Sequence, residues 1–273
     1  MGAPVMHDNA RWTRAALFAF AALAPFAAAA LWRFHLVIAL SPIFVSHLFL
    51  LYSTLVPNCQ WWGPVVQSFA TSEREVWITI DDGPSPAHTL RMLDILAEHR
   101  ARATFFVIGE RAEKYPHLIT EILARGHELA NHTHTHPSKL FWAAGPRWIA
   151  REIDRCGATL RSTAARPATL FRAPAGLKNP FVHLELRQRG LHLTGWTIRS
   201  LDTVRRDAEA IALQIRHRAR PGAIILLHEG HRTKSNPEFH PRCLERTLHE
   251  LTAAGYAFVI PLPEQLRTSI DGK

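Results

Sequence analysis

Four short segments of this chain carry residue types that do chemistry together. The apolar run Ile78-Thr79-Ile80 leads straight into Asp81-Asp82-Gly83-Pro84. Two adjacent carboxylates at the end of a strand point in different directions, so one can bind a metal ion while the other takes a proton. Gly83-Pro84 then turns the chain sharply and holds both at the tip. In isolation, the same tetrapeptide could be just a turn. Further on, Asn131 runs into His132-Thr133-His134-Thr135-His136. If these residues make one helical turn, His132 and His136 share a face at i and i+4, and two imidazoles at that spacing bind one ion. His134 then points elsewhere, towards the supporting residues or solvent. Two histidines and one carboxylate leave positions open on a divalent ion, which is the pattern of a catalytic rather than a structural site.

Two further segments complete the set. Phe171-Arg172-Ala173-Pro174-Ala175-Gly176 places an arginine at a strand tip, where it can hold a carboxylate ionised. The loop after it can offer a backbone N–H to an oxyanion; a surface arginine in a turn is the plain alternative. The apolar run Ala223–Leu227 ends in His228, a candidate general acid.

These residues fall where an alternating pattern puts the ends of strands. Short apolar, β-branched runs predict strands at 76–80, 103–108, 128–131, 169–172, 191–196, 223–227 and 257–260. Amphipathic stretches predict helices at 87–98, 111–125, 146–162, 207–219 and 241–254. Strand–helix alternation implies a mostly parallel sheet wrapped by helices. The expected fold is therefore α/β, a distorted (β/α) barrel of about seven parallel strands, with its chemistry at the C-terminal ends of the strands.

The first 57 residues are different. Residues 15–32 are free of charge, Arg33-Phe34-His35 interrupts, and residues 36–56 are uncharged again. A bilayer span needs about 20 such residues. The segment 1–57 reads as a membrane-anchoring helical hairpin of two transmembrane helices. Pro25 and Pro42 leave a re-entrant hairpin open, and a buried soluble hairpin is the third reading. Residues 58–75 form a connector, in which Trp61 and Trp62 suit either an interfacial aromatic belt or ordinary packing. The barrel domain takes 76–273.

The net charge is +9 over 273 residues, and +7 of it lies beyond residue 60. A basic domain favours anionic partners such as phospholipid head groups or phosphorylated lipid carriers. No nucleic-acid motif accompanies the charge, so nucleic acid is not expected as a partner. Three cysteines, none in a C-x-x-C pair, make neither a disulfide framework nor a thiolate zinc site. Arg11 and Arg14 before the first span place the N-terminus, and after two spans the domain, on the cytoplasmic face of the inner membrane.

Taken together, the segments resemble the NodB-homology polysaccharide deacetylases, carbohydrate esterase family 4, from Val76 to the C-terminus. Thr79-Ile80-Asp81-Asp82-Gly83-Pro84 matches the family's first motif, and His132-Thr133-His134-Thr135-His136 its second. Arg172-Ala173-Pro174-Ala175-Gly176 matches the third, and Leu226-Leu227-His228 the fifth. The resemblance implies Asp81 as catalytic base, Asp82, His132 and His136 as ligands of one divalent ion (Zn²⁺ in this reading), and Arg172 as the residue that positions the base. It implies Leu226 as a wall of the acyl pocket and His228 as the acid. The fourth motif departs: Arg199-Ser200-Leu201-Asp202-Thr203 keeps only its second aspartate, Asp202, which could tune the acid or buttress Arg172. Ala175 stands where an aromatic is frequent, and Thr203 where a tryptophan is usual. These losses thin the walls of a polymer groove and leave the acid–base set whole.

The implied reaction is removal of an N-acyl group, acetyl or formyl, from an amino sugar. The metal would acidify a water and polarise the amide carbonyl, with the Ala175 N–H as a further oxyanion donor. Membrane attachment and the basic domain point to a lipid-linked saccharide or glycolipid that carries a phosphate. A cell-wall polysaccharide is the alternative for a domain facing outward. A non-catalytic glycan-binding or scaffolding protein is the remaining alternative.

Overall fold

The computed structural model describes residues 10–163, 167–231 and 235–268. The outermost residues of the expected anchor and barrel, 1–9 and 269–273, lie outside them. The chain begins with two long helices, α1 (Ala10–Leu31) and α2 (Leu36–Leu55). Both are long and apolar enough to cross a membrane, with mean hydropathies of 1.8 and 2.0 over 18 residues each. They pack on each other and keep large side chains such as Phe26, Trp32, Phe44 and Leu48 exposed. Pro25 and Pro42 lie inside the helices, which remain continuous through them.

Among the described residues ten strands follow: β1 (Ser68–Phe69), β2 (Glu75–Gly83), β3 (Ala103–Val107), β4 (Glu128–Asn131), β5 (Leu170–Phe171), β6 (His192–Leu193), β7 (Ile198–Arg199), β8 (Ala223–His228), β9 (Ala257–Phe258) and β10 (Leu266–Arg267). The sheet order is β10-β1-β8-β2-β3-β4-β5-β6, with β7 on β8 and β9 on β2. Strands β2 to β9 pair in parallel, as the alternating pattern requires, whereas β1 runs antiparallel to both of its neighbours, β8 and β10. The expected connector is thus part of the sheet. Val66 bridges Thr194 just past β6, while Ser68 pairs with Ala223 of β8. Between them they close the gap between β6 and β8.

Period-two alternation along β2 separates structure from chemistry. Val76, Ile78 and Ile80 face the core shared with α3 (Thr89–Glu98), α5 (Pro116–Ala124), α8 (Ala208–Arg218) and α9 (Phe239–Ala253). Trp77 belongs to the interior cluster with Phe106, Trp196 and Leu226. Thr79 and Asp81 share that inward face. The expected helix at 111–125 is two helices, α4 (Gly109–Lys114) and α5, because Pro116 cannot continue the first and starts the second. Helix α6 (Pro146–Thr163) matches its expected span, and α7 (Pro180–Gln188) was not anticipated.

Candidate active site

The register of the sheet assembles the site. Asp81 lies opposite Phe106 of β3 and His228 of β8. The strand does not stop before the carboxylates. It continues through Gly83, with a bulge between Asp81 and Gly83 and Asp82 in the left-handed region at φ 69. A bulge re-aims one side chain relative to its neighbour, so the two adjacent aspartates serve different partners.

Asp82 Oδ1 lies 3.4 Å from His132 Nε2 and 3.2 Å from His136 Nε2. Each of the three residues offers one ligand atom, all within 4.8 Å of one another. Asp82 Oδ1 and His136 Nε2 are buried with no hydrogen-bond partner. Buried polar atoms are normally satisfied, so a convergent orphaned pair of this chemistry fits a divalent cation. The two histidines do not converge through a helical turn, as the i, i+4 spacing suggested. Residues 132–136 are irregular, with Thr133 at φ 66 and His136 at φ 54. Two left-handed residues cost roughly 1–3 kcal/mol each, and Glu152 of α6 offsets this by accepting from the N–H groups of His134 and Thr135 at 3.0 and 2.8 Å and from the Thr135 hydroxyl. His134 is wholly buried beneath this loop rather than solvent-facing. His132 Nδ1 meets the Arg172 carbonyl at 2.8 Å, which fixes the ring with Nε2 towards Asp82.

Arg172 is buried in the barrel with its guanidinium 4.0 Å from the centre of the Phe106 ring. It donates to Asp81 Oδ1 at 2.6 Å, to Thr79 Oγ1 at 3.0 Å and to the carbonyls of Thr194 and Gly195 at 3.2 and 2.8 Å. Asp81 Oδ2 is left facing His132 Nε2 at 3.7 Å.

The opposite wall carries His228 and Asp202. Asp202 Oδ1 meets His228 Nδ1 at 2.6 Å, and its Oδ2 accepts the His228 backbone N–H at 2.8 Å. Of the two roles open to Asp202, the geometry shows the contact with His228, while Arg172 is held by the other groups named above. Burial disfavours the imidazolium, but the Asp202 charge and hydrogen bond outweigh it and push His228 up to about 9. Burial likewise opposes ionisation of Asp202, and His228 overrides it, holding the carboxylate well below its usual range.

Asp81, Asp82, His132, His136 and His228 line one cleft of about 180 Å³ with Ala175 and Leu226. Ala175 sits at φ 54 in a tight turn, Pro174–Gly176. Arg199 and Thr203 of the divergent fourth segment line the same cleft, beside Trp196. Two residues outside the sequence reading also belong here. His231 Nε2 lies 2.6 Å from Asp82 Oδ2, where it holds the second carboxylate oxygen; the His228-Glu229-Gly230-His231 spacing was the available signal. Glu229 is fully buried against Thr89, and burial pushes its carboxyl up to about 8.

The polysaccharide deacetylase family model matches residues 69–194. A chitooligosaccharide deacetylase of Sinorhizobium fredii is 40% identical over 161 residues, covering 59% of this chain and 74% of that protein. A peptidoglycan-N-acetylglucosamine deacetylase of Bacillus cereus is 32% identical over 200 residues, or 72% and 91% of the two chains. Among solved structures, a family 4 carbohydrate esterase from Streptomyces lividans in complex with acetate superposes with a TM-score of 0.63 at 27% identity, over 72% of this chain and 97% of that one. The chain belongs to the polysaccharide deacetylase family, carbohydrate esterase family 4, and is an amidohydrolase of that family.

Proposed function

We propose that this enzyme removes the N-acetyl group from an N-acetylglucosamine unit of a lipid-linked saccharide or glycolipid, at the cytoplasmic face of the inner membrane. The observation that carries the chemistry is the convergence of the Asp82/His132/His136 set, the Arg172–Asp81 pair and the Asp202–His228 pair in one cleft. Sugar and acyl group are carried over from the relatives, which are named for chitooligosaccharide and peptidoglycan N-acetylglucosamine.

A divalent ion held by Asp82, His132 and His136 would supply Lewis-acid polarisation and an acidified water, and Zn²⁺ suits two imidazoles and a carboxylate. Arg172 engages Oδ1 of Asp81 and leaves Oδ2 to take the proton of the attacking water. The Ala175 N–H steadies the developing oxyanion. His228, kept protonated by Asp202, passes its proton to the amine nitrogen as the C–N bond breaks. Leu226 walls the acyl pocket. Water and amide become acetate and a free amine.

The membrane reading rests on α1 and α2 and on Arg14, which donates to the Trp62 carbonyl at the barrel end of the hairpin. Basic residues flank the cytoplasmic side of spans. Arg199 lines the cleft, and a cation there supports a substrate with an anionic group nearby. The peptidoglycan relatives favour a second reading, a cell-wall polymer met on the outer face. Accessibility labelling of a cysteine introduced on the barrel surface decides between the two sides.

The direct test is acetate release from an N-acetylglucosamine glycolipid and from chitotetraose by the metal-loaded protein. Asp81→Asn should keep the metal and lose about 10²–10⁴-fold in turnover. Normal turnover in that variant would remove Asp81 from the mechanism.

A further inference from the structure

The end of the second apolar helix is held by a buried lysine. The Lys178 N–H donates to Thr54 O at 3.3 Å, and its ammonium donates to Val56 O at 2.8 Å and Pro57 O at 2.7 Å. Thr54 is in the last turn of α2, whose final carbonyls have no partner within the helix, and a cation there also meets the negative end of the helix dipole. Lys178 is completely buried, and both of these ammonium contacts are to carbonyls of the segment leaving α2. Burial pushes it down to about 8, so the fold bears a desolvation cost to place a charge at this one point.

Lys178 follows the turn that carries Ala175 and Gly176. A Cβ on Gly176 would lie 2.7 Å from Pro57 and 2.5 Å from Trp196, so the glycine, at φ 72, lets the chain leaving α2 press against the cleft wall. Asn58 continues the contact: its Nδ2 donates to the Trp196 carbonyl at 2.7 Å. Gly176 and Trp196 both line the catalytic cleft. Pro57 is two residues past the last residue of the span, and two residues reach at most about 7 Å. Tyr52, Phe49 and Trp61 cluster at the same level, with ring centroids 5.0 and 5.7 Å apart, as an interfacial aromatic belt does.

We infer that the hairpin is docked and not merely tethered: Lys178 locks the end of α2 onto the Ala175–Gly176 turn and fixes the mouth of the cleft at the bilayer surface, so that it takes amino sugars displayed by lipids at head-group level. The inference rests on the membrane and deacylase readings above. Lys178 acts as a positioning residue and touches no substrate.

The experiment uses the full chain in phosphatidylethanolamine/phosphatidylglycerol vesicles, with an N-acetylglucosamine-headed glycolipid and soluble chitotetraose as probes. Two variants uncouple the contact: Lys178→Met, and a four-residue Gly/Ser insertion between Val56 and Pro57. Both should remain in the membrane and keep their metal. Activity on the glycolipid should fall roughly tenfold or more, while kcat and KM for chitotetraose hold. An equal fall on both probes, or no fall on either, overturns the inference. Independently of activity, a fluorophore on Ser138→Cys at the cleft should be quenched by a head-group-labelled lipid, and the insertion should weaken that quenching. Equal quenching with and without the insertion overturns the docking even if neither probe is turned over, an outcome that would count against the proposed reaction alone.

Discussion

Asp202 grips His228 twice, through the imidazole Nδ1 at 2.6 Å and through the backbone N–H at 2.8 Å. His240 approaches the same carboxylate at 3.5 Å from α9. The double contact fixes which ring nitrogen faces the cleft, and it also sets the range of pH over which the acid carries its proton.

With His228 raised to about 9, the protonated form dominates below that value and is lost as pH rises through it. In the proposed mechanism, the alkaline limb of the rate profile should therefore belong to His228. In Asp202→Asn the charge that offsets burial is gone, so the limb should move down by a unit or more, towards or below the ordinary imidazole value. The pH dependence of acetate release measures this, and a limb unmoved in Asp202→Asn would assign it to another group.

Metal removal should have a structural consequence as well as a catalytic one. Asp82, His132 and His136 are brought together, with Asp82 Oδ1 and His136 Nε2 orphaned, so an ion bound only by the folded chain would stabilise it, by about 2.7 kcal/mol at a hundredfold excess over Kd. Purified protein should hold about one divalent ion per chain in this arrangement, and chelation should lower Tm. His132→Ala should hold no ion and should melt at the same temperature with and without chelator. Full metal content in His132→Ala would place the ion elsewhere.

Arg199 should select for charge. Its guanidinium lies 5.9 Å from the Trp196 ring centre and lines the cleft. Arg199→Ala should raise KM for a phosphate-bearing glycolipid by about tenfold, the scale of one charge-assisted hydrogen bond, and leave KM for chitotetraose near the parent value. Equal changes for both substrates would show that Arg199 shapes the cleft without reading charge.

Truncation points around residue 57 should not be equivalent. A chain starting at Val56 keeps both carbonyls that accept from Lys178, whereas one starting at Asn58 removes them. Leaving a buried ammonium without these acceptors costs about 1–3 kcal/mol or more. Thermal melts of the two truncated proteins should differ by several degrees. Identical melts would show that the released lysine finds water at no cost.

The reacting groups were legible because each lies in a contiguous segment whose apolar run sets the strand and whose polar end sets the site. Asp81, Asp82, His132, Arg172 and His228 converge for that reason. The hairpin was legible from length and charge alone. What holds these groups was not. Glu152 lies in the middle of an amphipathic helix, and nothing local distinguishes it from a solvated face until the sheet brings His134 and Thr135 to it. Lys178 reads as a surface residue in a loop, and only the packed hairpin shows it buried. The His132–His136 pair had the right spacing for the wrong reason, since backbone strain at Thr133 and His136 replaces the helical turn. The expected strands at 169–172 and 191–196 shrink to two residues each, because pairing there is limited to Leu170–His192 and Phe171–Leu193, a single bridge to β4 and the isolated bridge from Thr194 to Val66.

The position of β1 in the chain bears on how the protein is made. Ser68 and Phe69 follow directly on the hairpin, yet their partners are Ala223, Leu266 and Arg267. During synthesis the two apolar helices and β1 emerge before the strands that β1 pairs with, and its edge stays open until residues 223 and 266–267 have followed. Pairings this distant in sequence close late, so on the membrane reading proposed above the barrel would be completed beside the bilayer that already holds its beginning. A nascent chain halted before Leu266 should keep residues 66–70 open to protease, and one extending past Arg267 should protect them. Until then the exposed strand is a template for association with a neighbouring chain, and a membrane that held the hairpin would, by spacing such chains apart, take part in the folding of the enzyme it anchored.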